Sequence, residues 1–168
     1  IAAMQGHLEV VRLLAELGAD VETPASNGFT PAYAAAQEGH VDVVRLMLEH
    51  GADKVKAWGN GSSRLCIASQ NGHVEVVRML LEQGADINKA RDFGATPLFI
   101  ASGQGHVEVV MVLMEGGADI DKARDDGTTP LYIASQEGHV EVVRALIGAG
   151  ADIDKARDGG ATPLHIAS

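Results

Sequence analysis

The sequence predicts an all-α fold, an α-solenoid of stacked helix-turn-helix units that carry β-turn or hairpin fingers. Three observations predict it. A Gly-His pair recurs at Gly6-His7, Gly39-His40, Gly72-His73, Gly105-His106 and Gly138-His139, each step 33 residues. A Gly-Ala-Asp triplet keeps the same step, opening at Gly18, Gly51, Gly84, Gly117 and Gly150. Between them, apolar residues fall at helical spacing, as in Val74, Val76, Val77, Leu80 and Leu81. A fixed period of about 20–50 residues marks an array whose units bury a core only by stacking on their neighbours. The register gives one array domain over 1–168. It divides into a partial unit 1–19, units 20–52, 53–85, 86–118 and 119–151, and a partial unit 152–168.

Each unit reads as a finger, a short first helix and a longer second helix. Thr96, Thr129 and Thr162 stand where a hydroxyl caps a helix N-terminus, and the proline after each suits the first helical position. Small residues follow, such as Ala34-Ala35-Ala36 and Ala134-Ser135, and let neighbouring helices approach closely. First helices smaller than second helices predict a curved stack with a concave side. The second helices carry one apolar stripe, with a solvated face of pairs such as Glu75 with Arg78 and Glu141 with Arg144. Gly18 and its counterparts end them in the left-handed conformation that glycine tolerates. The third unit departs most: Ser63-Arg64-Leu65 loses the fixed φ of proline and predicts a weak point. The fourth carries Gly103 inside its first helix, and Met111 where the others have arginine.

Thr-Pro-Leu recurs at Thr96-Pro97-Leu98, Thr129-Pro130-Leu131 and Thr162-Pro163-Leu164, with Thr30-Pro31-Ala32 as a variant. With the Gly-His and Gly-Ala-Asp signatures at their spacing, the unit resembles the ankyrin repeat over the whole chain. The resemblance implies a turn or hairpin finger followed by two antiparallel helices. It also implies a non-catalytic module that binds a protein or peptide through finger tips and the concave first-helix face. That surface maps to Ser26, Asn27, Phe29, Gln37 and Glu38 in the second unit, and to Trp58, Asn60, Ser62, Gln70 and Asn71 in the third. It continues through Arg91, Asp92, Phe93 and Gln104 to Arg124, Asp125, Asp126, Thr128, Gln136 and Glu137. Phe29, Trp58 and Phe93 place aromatic rings in three successive fingers, as anchors for a partner or as packing between fingers. Asn88, with Leu80, Asp86 and Ile87, sits at a spacing that resembles the target of asparaginyl hydroxylases acting on ankyrin repeats. The simpler reading is a turn residue with a local hydrogen bond. A spacer within a longer array, or the repeat part of a larger multidomain protein, are the other functional classes.

Composition narrows the partners. The formal net charge is −10 and the pI is near 5.0, against the clustered basic face that nucleic acid needs and against anionic membranes. No apolar run reaches the roughly 18 residues of a membrane span. One cysteine, Cys66, excludes an internal disulfide and favours an intracellular setting, cytoplasmic or nuclear. It shares a slot with Tyr33, Phe99, Tyr132 and His165, so it reads as packing. The in-register histidines stand about 8–10 Å apart across stacked helices. Ligands of one zinc ion each lie only about 2 Å from it, so no metal site is expected. The structural alternative is a bond from each histidine to backbone groups near the turn between helices. No phosphate-loop or EF-hand pattern occurs, no cofactor is implied, and a catalytic site needs unlike groups converging, which repetition does not supply. Ile1-Ala2-Ala3 and Ile166-Ala167-Ser168 hold the same phase inside a first helix, which predicts a piece of a longer array. Apolar surfaces at the two ends then predict head-to-tail self-association.

Overall fold

The computed structural model describes residues 1–52 and 63–167. Among these the chain forms ten α-helices, one short 3-10 turn at Asp92–Gly94 and no strand. It divides into two compact units, Ile1–Asp86 and Ile87–Ser168. The first holds α1 (Leu8–Glu16), α2 (Pro31–Glu38), α3 (Val41–Glu49), α4 (Arg64–Gln70) and α5 (Val74–Glu82). The second holds α6 (Pro97–Gln104), α7 (Val107–Glu115), α8 (Pro130–Gln136), α9 (Val140–Gly148) and α10 (Pro163–Ile166).

The helices begin where the hydroxyls stand. Thr30 Oγ1 accepts from the Tyr33 amide at 3.3 Å, Thr96 from Phe99 at 3.1 Å and Thr129 from Tyr132 at 3.1 Å. Ser63 replaces threonine in the third repeat and still caps, accepting from Cys66 N–H at 3.2 Å. The second helices stop for a backbone reason. Gly18, Gly51, Gly84, Gly117 and Gly150 all have φ between 81° and 95°. The alanine after each closes a six-residue loop back into the helix: Ala19 N–H to Leu14 O at 2.9 Å, Ala118 N–H to Leu113 O at 3.0 Å. This is the Schellman stop, so Gly-Ala-Asp is a termination signal rather than a site.

The Gly-His pair has a different cause, and the bond runs further than its own turn. His40 Nε2 bonds Met4 O at 2.9 Å, His73 bonds Gln37 O at 2.7 Å and His139 bonds Gly103 O at 3.1 Å. His73 and His139 therefore reach the end of the preceding first helix, and His40 the turn at residues 2–6. A Cβ on Gly6, Gly39 or Gly105 would stand 2.7 Å from Nδ1 of the histidine one repeat later. Glycine is needed there for the neighbour's ring as well as for its own positive φ.

Packing follows the period within each compact unit. In Ile1–Asp86, α2 packs on α3 and α4, α4 on α5, and α3 on α1 and α5. In Ile87–Ser168, α6 packs on α7 and α8, α8 on α9 and α10, and α7 on α9. First helices thus stack on first helices and second on second. The core is aliphatic and small: Ala32, Ala35, Val44, Val76, Ala101 and Val109 are fully buried. Cys66 is among them, a packing residue in its repeat slot.

Candidate functional site: finger tips and first-helix ends

The fingers are tight turns pinned at their stems. Arg124 N–H bonds Thr128 O at 2.9 Å while Gly127 N–H bonds Arg124 O at 3.0 Å, and Arg157 with Ala161 and Gly160 repeats the pattern. Adjacent fingers are stitched: Asp125 N–H donates to Phe93 O at 3.1 Å and Asp158 N–H to Asp126 O at 3.0 Å. The stem arginines lie over rings of the repeat before. The Arg124 guanidinium is 5.4 Å from the Phe99 ring centre and that of Arg157 is 5.5 Å from Tyr132. These arginines brace fingers against first helices, a contact worth about 0.5–1 kcal/mol where solvent reaches it.

The side chains mapped to the surface separate into groups. Ser26, Asn27, Asp92 and Asp125 are exposed at finger tips, and Arg91 and Asp126 are half-buried beside them. Glu38, Asn71, Gln104, Gln136 and Glu137 are exposed at first-helix ends, with Gln37 and Gln70 half-buried. Trp58, Asn60 and Ser62 lie outside the described residues. Thr128 does not reach the surface: it is 4% exposed, and its amide donates to Asp126 Oδ1 at 3.1 Å. Thr128 is a finger stem, the residue facing inward from the turn.

The two described finger aromatics differ. Phe29 is half-buried and stacks on Tyr33, ring centres 4.7 Å apart, so it packs the base of its own finger. Phe93 is 72% exposed and sits one position beyond the tip aspartate. It is the one non-glycine described residue with positive φ, at φ 63° and ψ 21°. The same slot carries Gly159 at φ 94° two repeats on, whereas Asn27 and Asp126 hold it without positive φ. A bulky side chain in that conformation costs about 1–2 kcal/mol. The chain therefore holds a large apolar ring in water at a backbone cost.

Asn88 Oδ1 accepts from the Asp119 amide at 3.0 Å, one repeat later. Asp121 does the same for Asp152 at 3.1 Å. The asparagine at this slot is part of a link between repeats rather than a purely local turn bond. Among the described residues, no three of histidine, cysteine, aspartate and glutamate gather as metal ligands would.

A family model described as "Ankyrin repeats (3 copies)" matches residues 1–58, 65–158 and 122–168. The chain belongs to the ankyrin-repeat family. No curated protein is found to match it. Ankyrin repeats in general mediate protein–protein interaction and are typically non-catalytic. No helix among the described residues is long and apolar enough to cross a membrane.

One functional contrast within these ankyrin repeats escaped sequence reasoning. Arg64, where the other repeats have proline, is 2% exposed and pairs through Nη2 with Glu22 Oε1 at 3.2 Å. Loss of proline at this point therefore does not leave a loose helix start, because a buried ion pair holds it. Glu22 is also singular at its place in the period, where Asn88, Asp121 and Asp154 stand elsewhere. Two singular residues of opposite charge in adjacent repeats were the signal.

Proposed function

We propose that this ankyrin-repeat chain is a non-catalytic recognition module that binds a protein or peptide partner through its finger tips and first-helix ends. The observation that carries the reading is Phe93. Its ring is 72% exposed, and its backbone is held left-handed where glycine serves in another repeat. Phe93 O accepts the Asp125 amide, but the ring itself is little buried in its own repeat, whereas an aromatic anchor on a protein interface is rewarded by burial in a partner. The flanking tips differ from repeat to repeat, Ser26-Asn27 in one and Asp92-Phe93 or Asp125-Asp126 in others, on a frame of caps and stops that hardly changes. Variable tips on a constant frame favour a recognition surface over a spacer.

The test is a paired measurement on Phe93→Ala. As an anchor, its loss weakens partner binding by about 30-fold or more, matching a contribution of about 2 kcal/mol. Its thermal midpoint stays where it was, because the ring buries little in the free protein. Trp58→Ala, in the preceding repeat of the sequence, offers an independent reading. Unchanged binding in both variants would leave the spacer reading in possession of the data.

A further inference from the structure

Phe93 does not stand alone at its tip. It follows Asp92, which is exposed, and its carbonyl accepts the Asp125 amide at 3.1 Å, which fastens the next finger beside it. A Cβ on Gly94 would lie 2.7 Å from Asp125 Oδ1, so that carboxylate rests against the residue directly after Phe93. The following finger repeats the arrangement: Asp158 N–H donates to Asp126 O at 3.0 Å, and a Cβ on Gly127 would lie 3.1 Å from Asp158 Oδ1. Asp92, Asp125 and Asp158 hold one place in the period, and all three are exposed. Phe93 thus lies in a row of tip carboxylates.

The cations of these fingers serve internal contacts. Lys155 Nζ donates to Asp121 O at 2.9 Å, and Arg157 lies over the Tyr132 ring. Arg124 is the instructive case. Its guanidinium stands 5.4 Å from the Phe99 ring centre, and its Nη2 lies 3.8 Å from Asp126 Oδ2. The chain therefore holds one arginine between an aromatic ring and a carboxylate. Phe93 with Asp92 and Asp125 offers the same two kinds of group to solvent. Among the described residues no cation lies over that ring, and none pairs with either aspartate. An aromatic face attracts a cation, and a planar, weakly hydrated guanidinium suits a ring and a carboxylate at once.

Resting on the reading of Phe93 as an anchor, we propose that the partner segment is basic and presents an arginine to this tip. The guanidinium stacks on the Phe93 ring while Asp92 and Asp125 accept its N–H bonds, and Asp158 attracts a further basic residue of the same segment. Only this tip among the described fingers combines the two groups. The Ser26-Asn27 tip has no carboxylate, and the Asp125-Asp126 and Asp158-Gly159 tips have no ring. The formal net charge of −10 draws a basic segment from a distance and disfavours an acidic one. A purely apolar segment would leave the tip carboxylates facing it without partners.

Fluorescence anisotropy tests this with a labelled, end-blocked peptide whose arginines are spaced by glycine and serine. The same peptide with citrulline or with leucine in the arginine places is the comparison; citrulline keeps the planar shape and loses the charge. The native chain is expected to bind the arginine peptide about tenfold or more tighter than the citrulline peptide. Asp92→Asn with Asp125→Asn weakens the arginine peptide by about tenfold, and Phe93→Ala by about fivefold. Glu108→Gln with Glu115→Gln removes as much charge from exposed positions on α7 and changes binding by no more than about twofold. Circular dichroism checks that each variant keeps its helices. An arginine peptide bound no tighter than the citrulline peptide overturns the proposal. An equal loss in the α7 variant overturns it too, because net charge alone then draws the peptide. A leucine peptide that binds tighter than the arginine peptide, and is lost in Phe93→Ala, overturns the basic partner while Phe93 stays an anchor. Peptides that bind and all ignore Phe93→Ala overturn the anchor reading with it.

Discussion

The Arg64–Glu22 pair shows how much one residue changes the argument. An arginine side chain 1% exposed is tolerated only because a carboxylate stands 3.2 Å from it. Removing one partner of a buried pair leaves the other charge buried, a loss of about 3–5 kcal/mol, whereas replacing both with apolar residues is often neutral. Glu22→Ala is therefore expected to lower unfolding stability by about 3 kcal/mol, and Glu22→Val with Arg64→Pro to recover most of it. Urea unfolding of the two variants measures both, and additive losses in the double variant would contradict the pairing. Asp126 supplies a pH-dependent counterpart. Partial burial pushes its carboxyl up, but hydrogen bonds from Thr128 and the charge of Arg124 outweigh that and hold it below its ordinary 3.8. A lowered carboxyl pKa stabilises the fold above the unfolded value, and that contribution is lost as pH falls through the folded one. Asp126→Asn should thus be less stable than the native chain at neutral pH, with the gap closing as the pH drops below 3.8. A gap that stays constant across that range would contradict it.

Helices were the legible elements, and their ends more so than their partners. Thr-Pro announces a capped start and Gly-Ala-Asp a Schellman stop, because both depend on backbone groups within a few residues. The histidine bonds were half legible. A ring near the turn is local information, but its carbonyl partner lies 36 residues back in His73 with Gln37, which only the stacked neighbour supplies. The same holds for Asn88, whose bond to Asp119 crosses 31 residues. Gly39 tests this account of an element's end. Its φ is 81°, and an added Cβ would stand 2.7 Å from His73 Nδ1. Gly39→Ala is expected to cost about 1–2 kcal/mol for the left-handed backbone, and more for the displaced ring. His73→Ala in the same chain should remove the second part alone, so the two losses are less than additive. Full additivity by urea unfolding would show that the ring and the glycine do not meet.

At the scale of the whole chain, the fold was legible because each 33-residue period repeats the same local signals. The candidate site was legible only as a set of positions. Which finger side chains reach solvent depends on packing that composition does not encode: Phe29 turns onto Tyr33, Thr128 faces inward, and Phe93 stands out. Buried helices open least. Amide exchange should therefore be slow in α4, where Ser63 through Ser69 are buried. Fast exchange in α4 would contradict the anchoring of that helix by Arg64.

The central claim is that this ankyrin-repeat frame holds an exposed anchor for a partner at Phe93, against the preference of its own backbone. Phe93→Gly separates the two effects most directly, because glycine accepts the φ of 63° that phenylalanine resists. Partner proteins captured on the immobilised native chain and on Phe93→Gly, quantified by mass spectrometry, are read beside the thermal midpoints of both chains. The account predicts that Phe93→Gly melts no lower than the native chain and loses its captured partner. A variant that melts lower and captures the same partner in the same amount would contradict it.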